Sequence, residues 1–336
     1  MKTLLRTLLA AAVVALAGAC APEVQMSGTS SLPGPELRDG AIRATDGVRL
    51  PLRAWLPKGK IRAVVIGVHG LVDYSNSFAM PAEAWRKDGI ATYAYDQRGH
   101  GDTPQRGIWP GTERLIADFR AAVALIRARH PGVPIFASGT SMGGGVVLAA
   151  MARPDAPKLD GIILEAPAVF SRSTMPIYYP PGMWMLAHTV PGFRWGLSEI
   201  QKTFTDNQEV VRGLQRDPMV QQDIRMDMLY GLFDLMDTAY AAPPRVKVPV
   251  LLLHGDKDAL IPRKPVADVA RALPASLVRF AVYPNGWHIL YRDLQAATVH
   301  RDVAAWIKSR AAPLPSGADT AGALVVAGSG TNRRVP

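Results

Sequence analysis

The chain has 336 residues, 48% of them apolar and 20% charged, which fits a globular protein with a sizeable core and not a disordered chain. Its formal charge is +10, but the cations are scattered, and the one tight pair outside the N-terminus, Arg333-Arg334, lies in a low-complexity tail. No basic stripe interleaved with aromatic residues is present, which argues against nucleic-acid binding.

The opening stretch, MKTLLRTLLAAAVVALAGAC, carries Lys2 and Arg6 and then an apolar run from Leu8 to Ala19. That run is too short to span a bilayer and has the length of a signal-peptide core. Ala17-Gly18-Ala19 suits a signal peptidase. Cys20, the only cysteine, then stands where a bacterial lipoprotein signal places its lipidated residue. Plain secretion and a retained helix are the alternatives. A lipidated Cys20 would hold the protein on a membrane of the bacterial cell envelope, and Ala21 behind it favours the outer one. With no second cysteine, no internal disulfide can form.

Residues 21–40 are rich in Pro, Gly and Ser and read as a flexible linker. The stretch AIRATDGVRLPLRAWLP reads as a hairpin turning at Asp46-Gly47. Buried strands are expected at 63–70, a continuous β-branched run, and at 134–139, 159–167, 248–256 and 277–284, and 90–101 reads as a strand running into a loop. Helices are expected between them at 81–89, 113–130, 142–152, 265–274 and 294–310. Strands alternating with helices imply a mostly parallel sheet covered on both faces, an α/β fold. The interval 170–245 breaks the rhythm with helical, aromatic-rich sequence and reads as a cap over a site. Tyr178, Tyr179, Met183 and Trp184 are its candidate substrate contacts. The core is then 41–169 plus 246–311, and 312–336 is expected to be a disordered tail.

Ser141 lies in GTSMGG, where a buried strand turns sharply into a helix of small residues. Such an elbow strains the serine backbone and needs slim neighbours, supplied by Gly139 and Gly143. A serine hydroxyl needs a base to take its proton. Among seven histidines, His288 follows the last strand and precedes the last helix. His254 reads as structural. The acid that orients the base should lie after the preceding strand, where HGDKDALIP offers Asp256 and Asp258; Asp258 fits better. The order Ser141, Asp258, His288 is the one this architecture uses. Backbone donors for an oxyanion are expected at Met142 and at Leu71. Asp73, Tyr74 and Ser75 are read as either lining the entrance or capping the loop. Asp96 and Arg98 are read as an ion pair that pins a loop.

Together VHGLVDYS, YDQRGHGDT, GTSMGG, LEAPAV, DNQEVVRGLQRDPMV, HGDKDALIP and NGWH resemble the α/β-hydrolase superfamily, over roughly 45–310. More narrowly they are similar to the monoacylglycerol lipase and lysophospholipase group, also described as serine-aminopeptidase-like hydrolases. Leu71 stands where that group often has a small residue, and Asp73-Tyr74 where it often has Glu-His. The resemblance implies Ser141 as nucleophile, His288 as base, Asp258 as its orienter, and Leu71 and Met142 as oxyanion donors. It implies ester hydrolysis through an acyl-enzyme, with no metal or cofactor and a small lipid or ester as substrate. A thioesterase or aminopeptidase on the same fold, or a non-catalytic envelope lipoprotein, are the alternatives.

Overall fold

The computed structural model describes residues 21–328. Cys20 and the last eight residues lie outside them. The strands in chain order are β1 (Glu36–Arg38), β2 (Ala41–Arg43), β3 (Arg49–Trp55), β4 (Ala63–Val68), β5 (Ile90–Tyr95), β6 (Ile135–Thr140) and β7 (Gly161–Glu165). They continue as β8 (Arg194–Gly196), β9 (Asp223–Arg225), β10 (Val250–Gly255) and β11 (Val278–Tyr283). Nine of them form one sheet in the order β1-β2-β3-β5-β4-β6-β7-β10-β11. From β5 to β11 every neighbouring pair is parallel, while β1, β2 and β3 join antiparallel.

The alternation along each strand decides which helices cover it. In β4, Val64, Ile66 and Val68 pack with helices α2 (Thr112–Arg129) and α3 (Met142–Met151), while Val65 packs on the other side with α1 (Ala79–Trp85) and α9 (Ala296–Lys308). Both faces are apolar because both are covered, so the strands read as unbroken apolar runs. Between β7 and β10 come α4 (Tyr179–Thr189), α5 (Ser198–Gln201), α6 (Gln208–Arg216) and α7 (Met226–Tyr240), with the small β8–β9 sheet among them. Helix α8 (Arg263–Ala272) follows β10.

Four expectations change. Residues 21–40 are not a free linker. Val24 bridges to Trp109, the buried Gln25 side chain donates to the carbonyls of Gln105 and Ile108 at 3.1 and 3.0 Å, and β1 extends the sheet. Such contacts run mostly through backbone groups and one polar side chain, so they leave no hydrophobic period. The described part of the tail, 312–328, likewise folds, with Ala318–Gly328 as α10 packed along the edge strand β11. A Cβ at Gly322 would lie 2.0 Å from the Phe280 carbonyl oxygen, so the small-residue composition that suggested disorder permits this docking. Finally, α7 is more than cap: its Leu235 lies against Gly145 of α3, and Gly231 against the Trp109 ring.

The expected Asp96–Arg98 pair is also different. Arg98 is buried and bridges Asp46 and Asp118, with nitrogen–oxygen distances of 2.6 Å to each. Asp96 instead accepts from the amides of Ser75 and Asp102 at 3.0 and 2.9 Å. Arg98 therefore pins its loop to the hairpin and to α2. Its hydrogen bonds to Asp46 hold that carboxyl at about 2, below the ordinary 3.8, despite partial burial. A carboxyl lowered on folding stabilises above its unfolded range, and that contribution is lost as pH falls through its folded value. Asp46→Asn should therefore lower the melting temperature by a few degrees at neutral pH, and the gap should close near pH 2; thermal melts of both proteins against pH check this.

Candidate active site

Ser141 joins the end of β6 to α3 with φ 50° and ψ −114°, a backbone conformation that costs a residue with a side chain about 1–3 kcal/mol. The surroundings hold it there. Its amide donates to the Glu165 carbonyl at 2.8 Å, and its carbonyl accepts from Ala168 at 2.8 Å. Contact is tight at both expected glycines. A Cβ on Gly143 would sit 2.0 Å from the Val68 carbonyl oxygen, and one on Gly139 would sit 2.5 Å from the Gly143 carbonyl oxygen. Met142 opens α3, and the first amides of a helix have no intrahelical acceptor.

The loop after β4 runs beside the serine, since a Cβ on Gly70 would be 3.5 Å from the Ser141 Cβ. Leu71 follows and lines the same cavity as Ser141. His69 fixes this loop from behind. Its Nδ1 lies 2.7 Å from the Gly70 carbonyl oxygen, and its Nε2 accepts from the Gln97 amide at 2.9 Å. Burial lowers the His69 pKa, so the ring is neutral with its proton on Nδ1, as both bonds require. Val72 has φ 63°, unusual for a β-branched residue, and its carbonyl accepts from the Gln221 amide at 2.8 Å. The cap thus helps to hold the loop in a strained form.

Asp258 and His288 meet across two loops. The carboxylate is buried; one oxygen accepts from the Leu260 and Ile261 amides at 2.9 and 3.0 Å, the other faces His288 Nδ1 at 2.9 Å. Lys257 donates its amide to the Gly286 carbonyl at 2.9 Å, which ties the two loops together. Asp256 points elsewhere, accepting from the Asn285 amide at 2.7 Å. Burial alone would lower the His288 pKa, but the Asp258 charge and hydrogen bond, helped by Glu165 and Asp293, raise it. His254 lies behind Asp258, 4.0 Å from its oxygen, and burial pushes it down to about 4, so it stays neutral.

Ser141 and His288 open onto a cavity of about 490 Å³ whose wall is mainly apolar and comes largely from the cap. Of the four expected contacts, Tyr179 and Met183 line it. They are four apart and share a face of α4. Tyr178 and Trp184 fall off that face and are 69% and 54% exposed, with Trp184 stacked on His188 at 4.5 Å. Missing from the expected set are Leu229, Leu232, Phe233 and Met236 of α7, which all line the cavity. Their spacing of three, one and three is a helical apolar stripe visible in the sequence. Asp73 also lines the cavity, paired with Arg292, while Tyr74 donates its hydroxyl to Asp217 at 2.8 Å and Ser75 accepts from Arg53 at 3.1 Å.

Gly143→Ala should be among the most damaging single-methyl additions in the chain. Overpacking of this kind costs about 1–3 kcal/mol, and the expected result is a melting temperature lower by about 2–5 °C, with loss of any activity at Ser141. Calorimetry of the variant checks it.

Residues 59–295 match the sequence model of a hydrolase family described as serine aminopeptidase, S33. The chain is 28% identical to a monoacylglycerol lipase of Mycolicibacterium smegmatis over 265 residues, 78% of this chain and 94% of the relative. It is 25% identical to a monoglyceride lipase of Rattus norvegicus, covering 80% and 89%. Among solved structures, the monoacylglycerol lipase of Paleococcus ferrophilus superposes with a TM-score of 0.66 at 25% identity, over 78% of this chain and 99% of that one. A soluble variant of the Saccharomyces cerevisiae monoglyceride lipase gives 0.68 at 21% identity, over 85% and 98%. The elbow, the loop after β4 and the parallel sheet belong together: this chain is a member of the serine aminopeptidase S33 family of α/β-hydrolases.

Proposed function

We propose that this serine ester hydrolase cleaves monoacylglycerols through an acyl-enzyme on Ser141. The observation that carries the reading is the apolar cavity with Ser141 and His288 on its wall. His288 takes the Ser141 proton on Nε2 while Asp258 holds Nδ1–H and stabilises the imidazolium. The serine oxygen bonds to the ester carbonyl carbon, and the oxyanion meets the amides of Leu71 and Met142. The ester C–O bond breaks as His288 returns the proton to the departing glycerol oxygen. Water then repeats the steps and releases the fatty acid.

The cavity suits one acyl chain, gathering about 0.8 kcal/mol per buried methylene. The relatives named monoacylglycerol or monoglyceride lipases support the glycerol ester. Asp73 and Arg292 supply polar groups for a head group on the same wall. A lysophospholipid, the other substrate class of the group that the sequence resembles, is the second reading. An aminopeptidase would need a carboxylate free to hold an amine. Glu199 on the cavity wall is instead paired with Lys202 at 2.7 Å, and Asp73 with Arg292. Around the cap, Ile177, Tyr178, Trp184, Met185, Phe193 and Trp195 are more than half exposed, a surface suited to lipid.

Among the described residues no helix is long and apolar enough to cross a membrane. We propose that lipidated Cys20 anchors the enzyme. Cys20→Ala should move it from the membrane fraction to the soluble one; an unchanged distribution and mass would contradict the anchor.

Kinetics on a monoacylglycerol chain-length series test the substrate. KM should fall with each added methylene, by at most about fourfold, until the cavity is full, and Ser141→Ala should abolish turnover. Turnover confined to short activated esters would contradict the lipid substrate, and a preference for lysophospholipids would favour the second reading. Asp258→Asn should lower kcat by about 10⁴-fold, whereas Asp256→Asn should stay within about threefold of wild type. The reverse pattern would contradict the assignment of the acid.

A further inference from the structure

We infer that Glu165 is a positioning residue: its buried carboxylate ties the strand end that carries Ser141 to the turn that follows His288, and so sets nucleophile and base in one register. The inference rests on the reading of Ser141 and His288 given above.

Glu165 ends β7 and is fully buried. One carboxylate oxygen accepts from the Thr140 hydroxyl, on the residue before Ser141. The other accepts from the Tyr291 amide at 2.7 Å, three residues after His288. Its backbone carbonyl takes the Ser141 amide itself. A second strut joins the same two elements, since the Tyr291 hydroxyl lies 2.9 Å from Ser138 Oγ on β6. One carboxylate therefore touches the residue flanking the nucleophile and the turn flanking the base.

An acid is an expensive choice if the site needed only to be filled, because burying a carboxyl carries a desolvation penalty that an apolar residue of the same volume avoids. What the carboxylate adds is two directional acceptors and a charge. Burial raises it to about 7, against the opposing pull of Thr140, the Tyr291 amide, Arg292 and His288. The ionisable groups acting on it are His288, Arg292 and the Tyr291 hydroxyl, while His288 itself also feels Asp258 and Asp293. Ionised, Glu165 favours the imidazolium form of His288. Glutamine at this position keeps the length, can accept from Tyr291 and donate to Thr140, and removes only the charge. Alanine removes both links.

The test is hydrolysis of a soluble butyrate ester from about pH 5 to about pH 9 by wild type, Glu165→Gln and Glu165→Ala, with active sites counted by complete titration with a fluorophosphonate. For Glu165→Ala, kcat per titrated site should fall by about tenfold to a hundredfold with KM within about threefold of wild type, as expected for a small misplacement of reacting groups. Glu165→Gln should recover most of that loss. Its acid limb of kcat/KM should lie at lower pH than in wild type, because His288 has lost a neighbour that becomes anionic over the upper part of that limb. Wild-type kcat per site in Glu165→Ala, or an unmoved acid limb in Glu165→Gln, would overturn the inference. If Glu165→Ala does not fold, the acid limb of Glu165→Gln decides alone. If wild type shows no Ser141-dependent turnover, the functional reading fails and this inference fails with it.

Discussion

Helix α3 meets the sheet with Gly143 against the Val68 carbonyl, and the geometry of the candidate site depends on that contact. With no side chain between them, the helix starts one residue after the strand ends, and Ser141 must take up its left-handed backbone. The same contact places the serine beside the loop that leaves β4, because Val68 is the last residue of that strand. The elbow at Ser141 and the loop after β4 are thus one packing arrangement. The strain at Ser141 and Val72 is carried by buried apolar surface on α3, almost all of it inaccessible to solvent. Each buried side chain contributes about 1.5–3 kcal/mol relative to exposure, so a few of them offset the strain.

Around this elbow the protein concentrates ionisable groups in a dry environment. Two solutions recur. His69 and His254 are kept neutral by burial. Asp258 and His288 are paired, and each favours the charged form of the other against the burial that opposes it. Asp293 and Glu165 stand between these cases, raised by burial to about 6 and about 7. Both bind backbone amides on either side of His288, at Trp287 and Tyr291. The histidine turn is therefore bracketed by two buried acids, neither of which contacts the cavity. Low polarity makes such hydrogen bonds stronger, and it makes any unpaired member costly.

How much of this was legible in the sequence follows the physics of each part. The parallel strands were readable because both faces are buried, and the elbow because steric demand restricts it to small residues. That Asp258 would meet His288, and that His288 and Ser141 would lie at neighbouring strand ends, was readable because chain order and strand ends limit the choices. The contacts of residues 21–40 were not, since they run through carbonyls and single polar side chains. Arg98 was identified as a pin, but its partners lie 52 and 20 residues away, and spacing cannot select among the acids of the hairpin and α2. In the cap, the aromatic residues Tyr178 and Trp184 are exposed, and the apolar stripe on α7 that lines the cavity has the same helical spacing as a core stripe, so spacing alone does not tell the two apart. Glu165 sits in an apolar strand where a lone acid signals burial but names no partner.

The most direct test of the account is where a covalent probe lands. Purified protein would be reacted with a long-chain alkyl fluorophosphonate, weighed intact and mapped by peptide mass spectrometry. One adduct per chain is expected, on the peptide that holds Ser141, slowed strongly by prior occupation of the cavity with a long-chain fatty acid. An unlabelled protein, or a label on another residue, would contradict the central claim that Ser141 is the nucleophile of an acyl-binding hydrolase.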